Sequence, residues 1–232
     1  MGSNYKMKMR YGVDMVFCID ATASMEMEHI IGEVKKNALN FYQDFREVME
    51  KKGKPVAQMR VRVIAFRDYY YDKENAMLVT DFFTFPEQAE QFEACVNSIV
   101  PEGGGDDPED GLEALAYAIK SDWSKEFPRA RHVIVVWSDE GTHELGFGKS
   151  VANYPKNMAK DFDELTAWWG SPSAPGIMDE NAKRLLLFTP EKPGWTQITK
   201  NWNNLLHVAR EGGKGLDDVT FSAILHTIAN SV

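Results

Sequence analysis

The sequence predicts an α/β fold with a doubly wound, mostly parallel central sheet, one antiparallel edge strand and helices on both faces. Short apolar runs rich in β-branched and aromatic residues recur at 15–19, 61–66, 132–137 and 184–188, which is typical of strands buried on both sides. Segments with apolar residues at helical spacing lie between them. Strands that alternate with helices indicate a parallel sheet covered by helices.

Each element follows from its local pattern. A helix predicted over 25–52 stops at Gly53-Lys54-Pro55, and the run 77–85 is close enough to the strand 61–66 to pair with it antiparallel. The remaining predicted elements are the helix 86–99, a helix from 112 that ends before Pro128, the helix 158–169, the helix 195–202, a short edge strand at 205–208 and a closing helix at 216–228.

Composition restricts the class of protein. The chain has 232 residues, 44% of them apolar and 26% charged, and it contains no linker or repeat, so we predict one domain over 1–232 whose first residues, 1–11, are flexible or partly artificial. The net charge of −9 argues against a nucleic-acid partner, because phosphate binding needs a basic surface.

The sequence also predicts a cytoplasmic placement. Cys18 and Cys95 form no disulfide framework or metal-binding pair, the first residues lack the apolar region of a signal peptide, and no apolar run approaches the length of about 18 residues that spans a bilayer. We therefore expect no membrane partner.

The first strand ends in the sequence DATAS, where Asp20, Thr22 and Ser24 stand at alternate positions before the predicted helix. In open α/β sheets, ligands bind at the carboxyl ends of the strands. Three hard oxygens in one compact loop suit Mg²⁺, Mn²⁺ or Ca²⁺. Because the same residue types are common helix N-caps, this loop alone leaves both interpretations open.

Two further loops carry similar side chains. The loop at 101–110 contains three glycines, which let the backbone turn tightly and approach a ligand, followed by Asp106 and Asp107. The strand 132–137 ends in Ser138 and Asp139. Since such turns gather at one edge of a doubly wound sheet, we expect most of an octahedral metal shell there. Its predicted ligands are Asp20, Thr22, Ser24, Asp106 or a neighbour, and Asp139.

Together these loops resemble those of the von Willebrand factor type A (VWA) family, and the resemblance covers nearly all of the chain. That family carries a metal-ion-dependent adhesion site (MIDAS) built from Asp-x-Ser-x-Ser, a Thr from a second loop and an Asp from a third. Asp20, Thr22 and Ser24 match the first motif with one Thr-for-Ser exchange, and Asp139 matches the third. In the second loop Asp106 stands where Thr is usual, and whether Asp106 or Asp107 faces the ion stays open.

The resemblance implies a Rossmann-like fold and a recognition function. A Mg²⁺, Mn²⁺ or Ca²⁺ ion held by the site would accept a Glu or Asp carboxylate from a protein partner. The motifs look most like those of cytoplasmic bacterial members of the family, some of which are thought to act in signalling or stress-response systems. The oligomeric state is not predicted, and no catalytic residue is.

Two other functions compete with this one. The acidic loops could bind Mg²⁺ for hydrolysis or phosphoryl transfer, with His143 as a base, although a solvated loop histidine is the simpler interpretation. A metal-independent scaffold could instead use an aromatic surface, although tryptophans are usually largely buried. The residues concerned are Trp168, Trp169, Trp195 and Trp202.

Overall fold

The fold is a mixed α/β arrangement around one mostly parallel sheet. The computed structural model describes residues 10–25, 42–210 and 221–231. The strands of the main sheet are β1 (Tyr11–Asp20), β2 (Val56–Phe66), β3 (Met77–Val79), β4 (Phe83–Phe85), β5 (Ala130–Trp137), β8 (Lys183–Pro190) and β9 (Leu205–Arg210). A separate two-stranded ribbon consists of β6 (Gly170–Ser171) and β7 (Ala174–Pro175).

Helices connect these strands. They are α1 (42–51), α2 (Tyr69–Asp72), α3 (Ala89–Ser98), α4 (Gly111–Ile119), α5 (Phe162–Trp169), α6 (Trp195–Asn201) and α7 (Phe221–Ser231), with one 3₁₀ turn at Lys73–Asn75. The predicted helix 25–52 is confirmed over 42–51, and its residues 26–41 lie outside the described ranges. Likewise, 216–220 of the predicted closing helix lie outside them.

The strand order places β1 at the centre of the sheet. The main path runs β3-β2-β1-β5-β8-β9, and the pairs β1–β2, β1–β5, β5–β8 and β8–β9 are all parallel. The chain moves from β1 to β2 on one side and then continues with β5 on the other. The carboxyl ends of β1 and β5 are therefore adjacent where the winding reverses, which is the usual ligand position in such sheets.

The antiparallel edge differs in detail from the prediction. The predicted single strand 77–85 is two short strands, β3 and β4, which both pair antiparallel with β2. Between them, the Thr80 hydroxyl accepts a hydrogen bond from the Val63 N–H at 3.0 Å, and Arg62 donates to the Thr80 carbonyl at 2.6 Å. These side-chain bonds add to the backbone bond that the Thr80 N–H donates to the Val63 carbonyl at 3.0 Å.

Two apolar cores cover the two faces of the sheet. Alternate residues of β1 point to opposite sides, with Phe17 in one core and Val16 in the other. Helices α1, α3 and α7 pack on the first face, and α4, α5 and α6 pack on the second. Tyr11, assigned from sequence to a flexible start, is buried and begins β1. Among the described residues, no helix combines the length and apolarity needed to cross a bilayer.

Leu187→Ala should destabilise the fold much more than Leu206→Ala. Leu187 in β8 is fully buried, whereas Leu206 in the edge strand β9 is 47% exposed. Removing the buried side chain leaves a cavity and should lower the free energy of unfolding by about 2–5 kcal/mol. The exposed change should stay within about 0.5 kcal/mol. Urea unfolding of both variants measures this, and equal losses would contradict the assigned sheet order.

Candidate functional site

The centre of the candidate site is Asp20, the last residue of β1. Its side chain is fully buried, and Oδ1 accepts hydrogen bonds from the Thr22 N–H at 3.0 Å and from the Thr22 hydroxyl at 2.6 Å. Its Oδ2 accepts from the Ser138 hydroxyl at 2.7 Å. Three donors therefore fix this carboxylate in one orientation between the ends of β1 and β5.

The loop after β5 meets the loop after β1. The Ser24 hydroxyl lies 3.1 Å from the Thr22 hydroxyl and donates to Asp139 Oδ1 at 3.3 Å. Ser24 is exposed, whereas Thr22 and Asp139 are buried. Asp139 Oδ2 is also buried, and no atom of residues 10–25, 42–210 and 221–231 bonds to it. Four predicted ligands thus meet in one continuous network.

Burial makes both carboxylates of this network harder to ionise. Burial raises the pKa of Asp20 to about 6, even though the hydrogen bonds from Thr22 and Ser138 favour the charged form. Burial also raises the pKa of Asp139 above its usual value. A cation at this position would favour the ionised form of both side chains.

Asp106 lies elsewhere. Its Oδ1 is 3.2 Å from His143 Nε2, and within the described ranges its hydrogen bonds do not connect it to Asp20, Thr22, Ser24 or Asp139. Another carboxylate from the same loop, that of Glu109, borders this network. A Cβ added to Gly104 would lie 2.7 Å from Glu109 Oε1 and 3.3 Å from Thr22 Cβ, so both side chains border the same glycine.

Glu109 was missed in the sequence analysis. Its side chain is 3% exposed, and its Oε2 lacks a partner within the part of the chain that the structure describes. Burial and the nearby charges of Asp20 and Asp68 raise the pKa of Glu109 to about 10. The apolar sequence of α4 was an available signal, because nearly all residues of this helix are buried and Glu109 lies two residues before its start.

The three glycines have a structural role in the packing of their loop. Gly103 and Gly104 have φ values of +78° and +76°, which favour glycine. A Cβ on Gly103 would lie 1.9 Å from Asp72 Oδ1, and one on Gly105 would lie 2.0 Å from the Tyr71 ring. The glycines therefore let the loop pack against α2 and Thr22. The expectation that they approach a ligand stays a prediction.

His143 is not a solvated loop histidine, which corrects that interpretation. It is 8% exposed, its Nε2 lies 2.8 Å from Asp68 Oδ2, and its ring stacks on Phe147 at 3.8 Å. Burial lowers the pKa of His143, but the hydrogen bond to Asp68 and the charge of Asp106 outweigh burial, so that its pKa is raised. Two carboxylates on one nitrogen explain this stabilisation of the imidazolium.

Arg67 holds the loops of the site together. Its guanidinium donates to four backbone carbonyls, at distances of 2.9 Å to Ala21, 2.7 Å to Glu102, 2.7 Å to Asn75 and 2.5 Å to Val100. The side chain is 8% exposed. From sequence it was grouped with a polar loop, and nothing in its neighbours marked it as buried.

Comparison with solved structures reveals similarity of fold. The PilB minor pilin from Streptococcus sanguinis matches 97% of this chain at 12% identity with a TM-score of 0.50, and the match spans 62% of PilB. The pilus adhesin SpaC from Lactobacillus rhamnosus GG matches 94% of this chain at 13% identity with a TM-score of 0.47, and the match spans 30% of SpaC. The chain is thus shorter than either protein.

No protein-family model matches the chain, and no curated protein does. The resemblance to the von Willebrand factor type A family, including the MIDAS assignment, is therefore wrong by these comparisons, since no family model supports it and the PilB match is to a minor pilin. Short loop motifs carry a risk of false matches. The general α/β class with a mostly parallel sheet is confirmed, and a Rossmann-like member of that family is not.

Arg67→Met should be strongly destabilising. It would remove a donor from four backbone carbonyls, of which the Ala21 contact is buried and the other three are part-buried. At about 1–3 kcal/mol for each carbonyl that water cannot reach, we expect a loss of about 3 kcal/mol. Arg46→Met is the matched control, because Arg46 is 40% exposed and pairs with Glu50 only at 4.0 Å. If urea unfolding gave similar losses of unfolding free energy for both variants, the role of Arg67 in holding the loops together would be contradicted.

The free energy of unfolding in EDTA should fall as pH rises from about 5 towards 10. The folded pKa of Glu109, about 10, exceeds its ordinary value of 4.5, so the folded state binds more protons throughout this window and loses stability as they leave. Glu109→Gln should flatten the decline. Glu102→Gln, at an exposed position of the same loop, should not. Identical slopes in wild type and Glu109→Gln would contradict this assignment.

Proposed function

We propose that the protein is a divalent-cation-dependent protein-interaction module. In this proposal Asp20, Thr22, Ser24 and Asp139 hold the ion, and a Glu or Asp carboxylate of a protein partner completes its coordination. The observation that carries it is the continuous oxygen network at the adjacent ends of β1 and β5, in which Asp139 Oδ2 has no partner within the described ranges and Ser24 is open to solvent.

The residues fit a hard cation. Successive oxygens of the network are 2.6, 3.1 and 3.3 Å apart, close to the roughly 3 Å between neighbouring ligands of an octahedral Mg²⁺ ion with metal–oxygen bonds of about 2.1 Å. Carboxylate and hydroxyl oxygens favour Mg²⁺ or Mn²⁺, with Ca²⁺ as the larger alternative. When bound, the ion would supply positive charge and an exchangeable position for a partner's oxygen.

The loop containing Asp106 contributes differently in this proposal. The hydrogen bond of Asp106 to His143 supports a role away from the ion, whereas the position of Glu109 beside Thr22 and Gly104 supports an acidic neighbour of the ion. The proposed ligand set therefore contains neither Asp106 nor Asp107, and their assignment as ligands stays a prediction from the sequence. Bound cation would offset the repulsion among Asp20, Asp139 and Glu109.

We favour recognition over catalysis. His143, the candidate base, is buried and engaged with Asp68 and Asp106, so it is not available to a substrate beside Asp20. The aromatic-surface alternative has little support, because Trp169, Trp195 and Trp202 are buried. A cytoplasmic placement and a bacterial signalling or stress-response context remain predictions from the sequence.

Millimolar Mg²⁺, Mn²⁺ or Ca²⁺ should raise the unfolding midpoint measured in EDTA. A ligand that binds only the native state at about 100 times its dissociation constant adds about 2.7 kcal/mol. The increment should disappear in Asp20→Ala and Asp139→Asn and persist in Asp107→Asn, an exposed position in the acidic loop. The midpoint in EDTA alone is not diagnostic, because removing one clustered carboxylate relieves repulsion.

Acetate tests the carboxylate step directly. Acetate coordinated to paramagnetic Mn²⁺ at the site should show broadened methyl resonances with wild-type protein, and the excess broadening over free Mn²⁺ should be lost in Asp139→Asn. Asp107→Asn again serves as the control. If metal raised the unfolding midpoint but acetate showed no excess broadening, the ion would have a structural role and carboxylate recognition would be rejected.

A further inference from the structure

A second group of possible ligands lies beside the site, on different side chains. Asp68 follows β2, Asp110 precedes α4, and His143 lies in the loop after β5. One ligand atom from each lies within 4.8 Å of the other two, and all three side chains are buried. The carboxyl ends of β2 and β5, which flank β1, and the start of α4 bring these residues together.

The individual distances resemble those around a metal ion. His143 Nε2 lies 2.8 Å from Asp68 Oδ2 and 3.2 Å from Asp106 Oδ1, and neighbouring ligands of a metal with bonds of about 2.0–2.1 Å are separated by roughly 3 Å. Asp106 is 37% exposed. It therefore lies between the buried group and solvent, where an ion would enter.

A second observation is independent of this spacing. Asp110 is fully buried and its Oδ2 accepts from the Tyr69 N–H at 2.6 Å, but its Oδ1 has no hydrogen-bond partner in the chain as described. An unpaired buried carboxylate oxygen is costly, which points to a ligand that would satisfy it. A protonated His143 would pair with Asp68 and Asp106 and leave this oxygen unpaired.

The surrounding contacts hold the ligands in position. Asp68 Oδ1 accepts from the Tyr71 N–H at 3.0 Å, which leaves its Oδ2 directed at His143. The His143 ring lies nearly parallel to Phe147, with an interplanar angle of 9°. Such contacts to residues behind the ligands orient metal-binding carboxylates and imidazoles.

We propose that Asp68, Asp110 and His143, with Asp106 at the solvent side, form a second cation site that takes Zn²⁺ or a chemically similar ion. One imidazole nitrogen with several carboxylate oxygens suits Zn²⁺, whereas the oxygen-only network around Asp20 suits Mg²⁺. The two sites use no ligand in common. The second site is therefore independent of the proposed interaction function.

Co²⁺ and Zn²⁺ test the second site in the folded chain at pH 7.5. We expect Asp20→Ala, which lacks the first site, to bind one equivalent of Co²⁺ with visible d–d absorption and to release it on addition of Zn²⁺. In the same background, His143→Gln and Asp110→Asn should weaken Zn²⁺ binding by at least about tenfold in titration calorimetry. His207→Gln, a partly buried histidine paired with Thr189, is the matched control.

The outcomes are distinct. If Asp20→Ala showed no cobalt spectrum, the second site would be overturned. A spectrum in wild type would then come from Co²⁺ at the first site, and its absence there would mean that neither site binds Co²⁺. Retained affinity in Asp110→Asn would overturn it as well and leave His143 as an internal counter-ion. Circular dichroism checks that each variant folds, and Asp110→Asn decides the question if His143→Gln does not. If Mg²⁺ failed to raise the unfolding midpoint, the proposed function would fail, but the Co²⁺ and Zn²⁺ result for the second site would be unaffected.

Discussion

Negative charge buried at one end of the sheet is the constraint on which this structure depends. Asp20, Asp139, Glu109 and Asp110 are each no more than 3% exposed. The buried Arg67 donates four hydrogen bonds to backbone carbonyls and not to the four carboxylates. Buried carboxylates need partners or protons, and here burial raises the pKa of all four. Such a cluster lowers the stability of the fold, and in the proposed function a bound cation would offset the repulsion.

The same constraint relates the two proposed sites to one another. Glu109 is affected by the charge of Asp20 on one side and of Asp68 on the other. Its backbone carbonyl accepts hydrogen bonds from the Thr142 hydroxyl at 2.8 Å and from the His143 N–H at 2.9 Å. Filling either site would therefore change the electrostatic environment of the other through a residue that belongs to neither ligand set, while the ligand sets themselves remain separate.

The sequence was informative where a pattern has a single local cause. Apolar runs predicted the strands, and the position of polar residues after β1 and β5 predicted that Asp20 and Asp139 would meet. It failed where the cause is a contact between distant segments. Glu109, Arg67 and His143 look like ordinary loop residues until α4, β2 and the loop after β5 are packed together. The glycines indicated a close approach, and the neighbours that the structure shows for them are α2 and Thr22.

The four hydrogen bonds donated by Arg67 affect how this end of the molecule folds. One guanidinium binds carbonyls in three segments that are far apart in sequence, at residue 21, at residue 75 and at residues 100 and 102. None of these segments therefore has its full set of hydrogen bonds until all three are in place. Loop closure over such separations is entropically costly and favours late assembly in folding. In native-state hydrogen exchange, the amides around these carbonyls should open together as one cooperative unit rather than loop by loop.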